Sequence, residues 1–179
     1  MGGHGKTSVF IDGPATYATA RALGFDIDYR KLLGHYRQTR DLLRISYYTR
    51  LADDQEFVAI RPLVDWLDYN GYRVVTRPAR EFVDATGRRR YAGGMEVEIT
   101  VDALDVAPHV GRVVLWTGNG DMCAMVDGLQ RRGVRVEVVS TSRGGPGTAA
   151  DELRRIADDF TELESLRPLV ERTQDRPSR

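Results

Sequence analysis

The segment Val113-Val114-Leu115-Trp116-Thr117-Gly118-Asn119-Gly120-Asp121-Met122 constrains this chain more than any other. Its short apolar run reads as a buried strand. The run stops in a turn of small residues, and Met122, Met125, Val126 and Leu129 follow at helical spacing. A strand that ends in a Gly-rich turn at a helix start delivers polar side chains to the carboxyl edge of a sheet. Open α/β folds keep their sites there. A second acid, Asp12, ends the apolar run Val9-Phe10-Ile11, and a third, Glu96, follows Gly93-Gly94-Met95. Acids at two strand ends and a helix start suggest a carboxylate cluster for a hard divalent cation.

The same periodicities continue along the chain. Residues 8–11, 43–48, 72–76, 113–116 and 134–139 read as strands. Residues 29–36, 57–69, 95–107, 122–132 and 149–159 read as helices. Alternation of the two predicts a mainly parallel sheet covered on both faces, a three-layer α/β fold. Residues 80–94 suggest a hairpin with its turn near 85–87, and 142–147 a flexible loop. Val97, Val101 and Leu104 set the apolar face expected for the helix that carries Asp102. We expect one domain over residues 1–172 and a fraying tail over 173–179.

Composition excludes several classes. No apolar run approaches the ~20 residues that span a bilayer. The N-terminus lacks the apolar stretch of a signal peptide, so a cytoplasmic protein is expected. One cysteine precludes an internal disulfide and a cysteine-based zinc site. Twenty-six basic residues balance 26 acidic ones, which gives no bulk electrostatic argument for nucleic acid. Arg88, Arg89, Arg90, Arg131 and Arg132 form local basic runs, which read first as solvated surface.

In order, the chain carries Phe10-Ile11-Asp12-Gly13 with Tyr17 after it, then Arg61-Pro62-Leu63-Val64-Asp65-Trp66-Leu67-Asp68-Tyr69-Asn70-Gly71-Tyr72. The stretch from Gly93 to Asp102, Thr117 to Asp121, Gln130 to Ser140 and Ala150-Asp151-Glu152-Leu153-Arg154 follow. In this order the set resembles the NYN/LabA-like branch of the PIN-domain nucleases, over roughly residues 7–166. The resemblance implies a PIN-like fold and a metal-dependent ribonuclease. Acidic side chains would hold Mg²⁺ or Mn²⁺, with single-stranded RNA as the polymer cut. Asp12 and Asp121 match two of the family's acids, and Glu96 stands one carbon longer where another is usual. Ala15, Ala92 and Asn119 replace polar or charged residues of the family pattern, which implies weakened hydrolysis.

Each candidate has a plain alternative. Asp12 before Gly13 also suits a turn. Asp121 and Glu96 also suit first helical turns, where the dipole favours acids. Asn119 serves equally as turn residue or neutral ligand. Asp102 faces the pocket or bonds backbone groups. Cys123 lies at a helix start, where a thiol is activated, yet a lone cysteine is commonly a small core residue. Tyr17, Trp66 and Tyr69 suit base stacking or the core. Three functions follow: a weakened divalent-metal ribonuclease using Asp12, Glu96 and Asp121; a non-catalytic binding domain, as a homodimer; or an enzyme acting on a small molecule, with Asp12, Asn119, Asp121 or Cys123 in the cleft. For the last, Met95 and Met122 would line a drier pocket.

Overall fold

Two buried strands set the architecture. β1 (Lys6–Asp12) is buried from Thr7 onward, and β6 (Arg112–Trp116) from Val113 onward. Strands buried on both sides belong in the middle of a parallel sheet, and these two pair directly. The structure, a computed structural model, describes residues 5–51, 55–145 and 147–173. β2 (Asp41–Leu51) and β3 (Arg73–Pro78) extend the sheet on one side of β1. β7 (Arg135–Ser140) and β8 (Asp159–Glu162) extend it beyond β6. The order is β3-β2-β1-β6-β7-β8, and every neighbouring pair is parallel.

Side chains alternate across each strand, and so build two cores. Val9, Ile11, Val114 and Trp116 face one core. It is covered by α1 (Gly13–Ala22), α2 (Tyr29–Thr39), α3 (Gln55–Tyr69) and α7 (Leu163–Val170). Phe10, Val113 and Leu115 face the other. It is covered by α4 (Glu96–Val106), α5 (Cys123–Gln130) and α6 (Asp151–Ile156). The result is a three-layer α/β sandwich of the PIN-like kind. The chain runs outward from β1 through β2 to β3, then returns to β6 and runs the other way. The reversal between β1 and β6 splays the segments that leave their carboxyl ends, and this opens the crevice typical of such sheets.

β4 (Arg80–Val83) and β5 (Arg89–Ala92) form the expected hairpin, outside the main sheet. Asp84 builds its turn. Its carboxylate accepts from the Thr86 amide (2.8 Å), the Thr86 hydroxyl (2.6 Å) and the Arg88 amide (3.1 Å). These donors, with Arg90 at 3.0 Å, hold the Asp84 pKa down at about 2.

Several expectations change. α1 was not anticipated, and neither were β8 and α7. The helix expected over 149–159 ends at Ile156, and the chain turns into β8. α4 buries Ile99 and Ala103, while Val97 and Val101 face outward. The loop after β7 is pinned rather than free. The Ser142 amide and hydroxyl donate to Glu162, and the Thr148 hydroxyl donates to the Arg143 carbonyl at 2.6 Å. Residues 1–4, Pro146, the side chain of Ala92 and the tail from 174 lie outside the described residues. Among the described residues no helix is long and apolar enough to cross a membrane.

Candidate functional site

Asp12 is the last residue of β1 and only 8% exposed. The sequence places it there twice over. Phe10-Ile11 ends the strand, and Gly13-Pro14 starts α1, with proline where its missing N–H costs nothing. Asp12 caps that helix by accepting from the Ala15 amide at 3.4 Å. Gly13 is required by close approach. A Cβ there would sit 2.6 Å from the Tyr47 ring and 2.8 Å from the Tyr48 carbonyl oxygen.

The second Asp12 oxygen accepts from the Thr117 hydroxyl at 3.2 Å. Thr117 follows β6, so this bond crosses the switch point between the two central strands. The Thr117 oxygen also accepts from the Asn119 amide at 3.2 Å. The Asn119 side chain then divides its work. Its oxygen accepts from the Asp121 amide at 3.0 Å and starts the 3-10 turn into α5. Its nitrogen donates to Glu96 at 2.8 Å.

Glu96 reaches this position because Gly93 and Gly94 precede it. Its carboxylate folds over Gly94 and occupies the space that a Cβ there would fill, at 1.9 Å. Arg50 fixes the loop, donating to the Gly94 carbonyl at 2.8 Å and to the Pro78 carbonyl at 3.0 Å. Glu96 thus comes to the crevice from the start of α4, while Asp12 and Asn119 come from the sheet.

Burial raises the Asp12 pKa, and the negative charge of Glu96 raises it further. The Ala15 and Thr117 donors oppose the shift only in part. Among the described residues, none of Asp12, Glu96, Asp121 and Glu152 forms an ion pair. The site is a chain of neutral donors, Thr117 and Asn119, strung between two carboxylates.

Asp12, Glu96 and Asn119 are thus linked through Thr117 and the Asn119–Glu96 bond. Asp121, which was expected to converge with Asp12 and Glu96, does not complete a group of three with them. Its side chain is exposed, and no group of three or more His, Cys, Asp or Glu among the described residues is arranged to hold a metal ion. Its place is beside Glu152 and Cys123. Glu152 lies over Gly120, where a Cβ would be 2.5 Å from a carboxylate oxygen. The Cys123 thiol is pushed up by partial burial and by Glu152 and Asp121, opposite to what an activated nucleophile needs. Met95 and Met122 are core residues, 2% and 0% exposed, and line no open cleft.

Asp102 serves the structure. It accepts from the Tyr48 hydroxyl at 2.7 Å and pairs with Arg73. Trp66 packs against the first core, whereas Tyr17 and Tyr69 are exposed. The basic runs are engaged: Arg89 with Glu81, Arg90 with Asp84, Arg131 with Asp127. Thr117 was missed as a site residue. Its hydroxyl at the end of β6 was the available signal, since a buried Thr beside an acid must bond something.

The family described as NYN domain matches residues 6–164. The chain is 29% identical to "Low amplitude and bright protein LabA" of Synechococcus elongatus over 173 residues, 94% of this chain and 89% of that protein. A crystal structure of a protein of unknown function, VPA0982 from Vibrio parahaemolyticus, superposes with a TM-score of 0.68 at 26% identity. That match covers 89% of this chain and 93% of the other. With its sheet order, its acid at the end of the first strand and a match over nearly its whole length, the chain belongs to the NYN-domain, LabA-like family.

Proposed function

We propose that the chain is a divalent-cation-dependent phosphodiesterase of the ribonuclease type, with a weakened site. One observation carries the reading: two carboxylates, Asp12 and Glu96, meet at the switch point, and neither forms an ion pair among the described residues. Apposed carboxylates without a basic partner suit a hard cation, and Mg²⁺ uses one or two of them together with substrate phosphates. Asp12 and Glu96 would hold Mg²⁺ or Mn²⁺. Such an ion, when bound, lowers the pKa of water and offsets charge on a phosphodiester.

The chain's own residues do the positioning. Thr117 fixes one Asp12 oxygen, and the α1 amide of Ala15 fixes the other. Asn119 orients Glu96 and contributes no charge of its own. Two carboxylates rather than three or four predict weak cation binding, because ligand charge tunes affinity. Single-stranded RNA is the proposed substrate class, by analogy with the family.

Calorimetric titration with Mn²⁺, paired with cleavage of a labelled single-stranded RNA, tests this. The expected result is weak, saturable Mn²⁺ binding that disappears in Asp12→Ala, and slow cleavage abolished by that change and by chelator. Cleavage surviving both changes would defeat the proposal. Binding of Mn²⁺ without cleavage would instead assign the chain to the non-catalytic class.

A further inference from the structure

The face of the sheet that carries Asp12 has a second opening near the amino ends of β1, β2 and β3. The crossover from β3 to β6 lays α4 over the centre of that face and leaves part of the β2–β3 side bare. The gap is a groove of about 740 Å³. Ser8 and Phe10 of β1 form its floor, with Arg44 and Ser46 of β2 alongside. Phe10 stacks on Tyr48 at a centroid distance of 6.1 Å, and Tyr48 is fully buried, which closes the groove toward the carboxyl edge. Ser8 precedes Asp12 by four residues, about 13 Å along a strand, so the two openings are separate.

Three features of the groove ask for an occupant. The Ser8 hydroxyl is 1% exposed and has no hydrogen-bond partner, the sole such side-chain atom found among the described residues. An unmade bond at a buried hydroxyl is costly, and this one lines the groove. Lys6 and Arg44 also line it, and neither forms an ion pair among the described residues. Leu43, 36% exposed, supplies apolar surface beside those charges, above a floor in which Phe10 is buried. Asp102, whose charge Arg73 offsets, and Asp105 mark the opposite wall.

We propose that this groove binds a small organic anion with a flat apolar body. The anionic head, phosphate or carboxylate, lies against Arg44 and Lys6. The body covers Leu43. A polar atom of the ligand completes the Ser8 hydroxyl. Asp105 on the opposite wall repels an anionic head and confines it to the Lys6 and Arg44 side. The proposal does not rest on the nuclease reading, since none of its residues belongs to the Asp12 site.

The test is an amide-detected NMR titration of the full chain with phenyl phosphate. Benzoate, inorganic phosphate and benzyl alcohol serve as comparators. Saturable shifts at Ser8, Phe10 and Arg44 are expected with phenyl phosphate, weaker ones with inorganic phosphate, and none with benzyl alcohol. The benzoate response decides between carboxylate and phosphate heads. Arg44→Gln should weaken phenyl phosphate about tenfold, as loss of one charge-assisted hydrogen bond does. Ser8→Ala should weaken it several-fold and yet melt no lower than the parent without probe, because an unsatisfied hydroxyl is removed. A Ser8→Ala variant that melts lower would mark the hydroxyl as structural and overturn the proposal. So would unsaturable shifts, equal binding of benzyl alcohol, or an Arg44→Gln variant that binds as the parent does.

Discussion

The two edges of the central sheet treat buried acids in opposite ways. At the amino edge, Glu137 is 8% exposed, as buried as Asp12. It is met by Arg40 at 3.2 Å, by Arg112 at 3.4 Å and by the Thr161 hydroxyl at 2.9 Å. Arg112 also holds Asp159 at 2.7 Å, and Arg135 joins it at 3.5 Å. At the carboxyl edge, Asp12 meets only neutral donors, and its charged neighbour is another acid. A buried acid that serves only the fold is neutralised by the fold, since an unpaired buried charge is costly. One left without a counter-charge points to a counter-charge from outside. The contrast is the physical ground for the cation proposed at Asp12 and Glu96.

Breaking the compensated edge should have the largest effect. Arg112→Leu removes the cation shared by Glu137 and Asp159 and leaves Arg40 on Glu137 alone. We expect a loss of about 2–3 kcal/mol, below the full cost of breaking a buried pair because Arg40 remains. Chemical denaturation reads it, and adding Glu137→Gln to the same chain should restore part of the loss. A variant as stable as the parent would show that Arg112 does not neutralise Glu137.

How much of this contrast the sequence disclosed depended on the signal each element carries. Strands β1, β2, β3, β6 and β7 were legible because Val, Ile and Leu runs have few other uses. β8, Asp-Phe-Thr-Glu, has no such run and lies at an edge. α7 carries Pro168 inside it, a residue that argues against a helix. α1 is built of Gly, Pro, Ala and Thr with little apolar periodicity, although Asp12 as cap and Pro14 in the first turn were both visible. Asp12 and Glu96 were identified from strand-end and helix-start positions. The bridge of Thr117 and Asn119 between them was not, because hydrogen-bond partners depend on register. Nor was the neutralised Glu137, whose arginines come from the cap after α2 and from β6, distant in sequence.

Adding charge at the uncompensated edge should have the next largest effect. Asn119→Asp keeps the oxygen that accepts from the Asp121 amide, so the turn survives. It replaces the donor to Glu96 with a second carboxylate. In chelator we expect a loss of about 1 kcal/mol, the low end of the cost of an unmade bond, because Glu96 is only partly buried. Millimolar Mn²⁺ should return more stability to this variant than to the parent, and calorimetry should show tighter binding. Equal Mn²⁺ affinity in the two chains would place Asn119 away from the ion.

The smallest effect is the sharpest, because its sign separates the two edges. The folded chain raises the Asp12 pKa above 3.8. The fold therefore favours the protonated form. The stability this confers is complete below 3.8 and is lost as pH rises through the folded value. Asp159 behaves oppositely. Arg112 lowers its pKa, so its contribution is present above 3.8 and lost as pH falls. At pH 7 an ionised Asp12 thus works against folding. Asp12→Asn removes that charge and retains a good helix cap. In chelator at pH 7, Asp12→Asn should melt slightly above the parent, and the gap should close as pH falls toward 3.8. Saturating Mn²⁺ should reverse the order, because only the parent has the carboxylate to stabilise. A variant that melts below the parent in chelator would mean that the Asp12 charge is already compensated within the fold, and the reason to place a cation there would be gone.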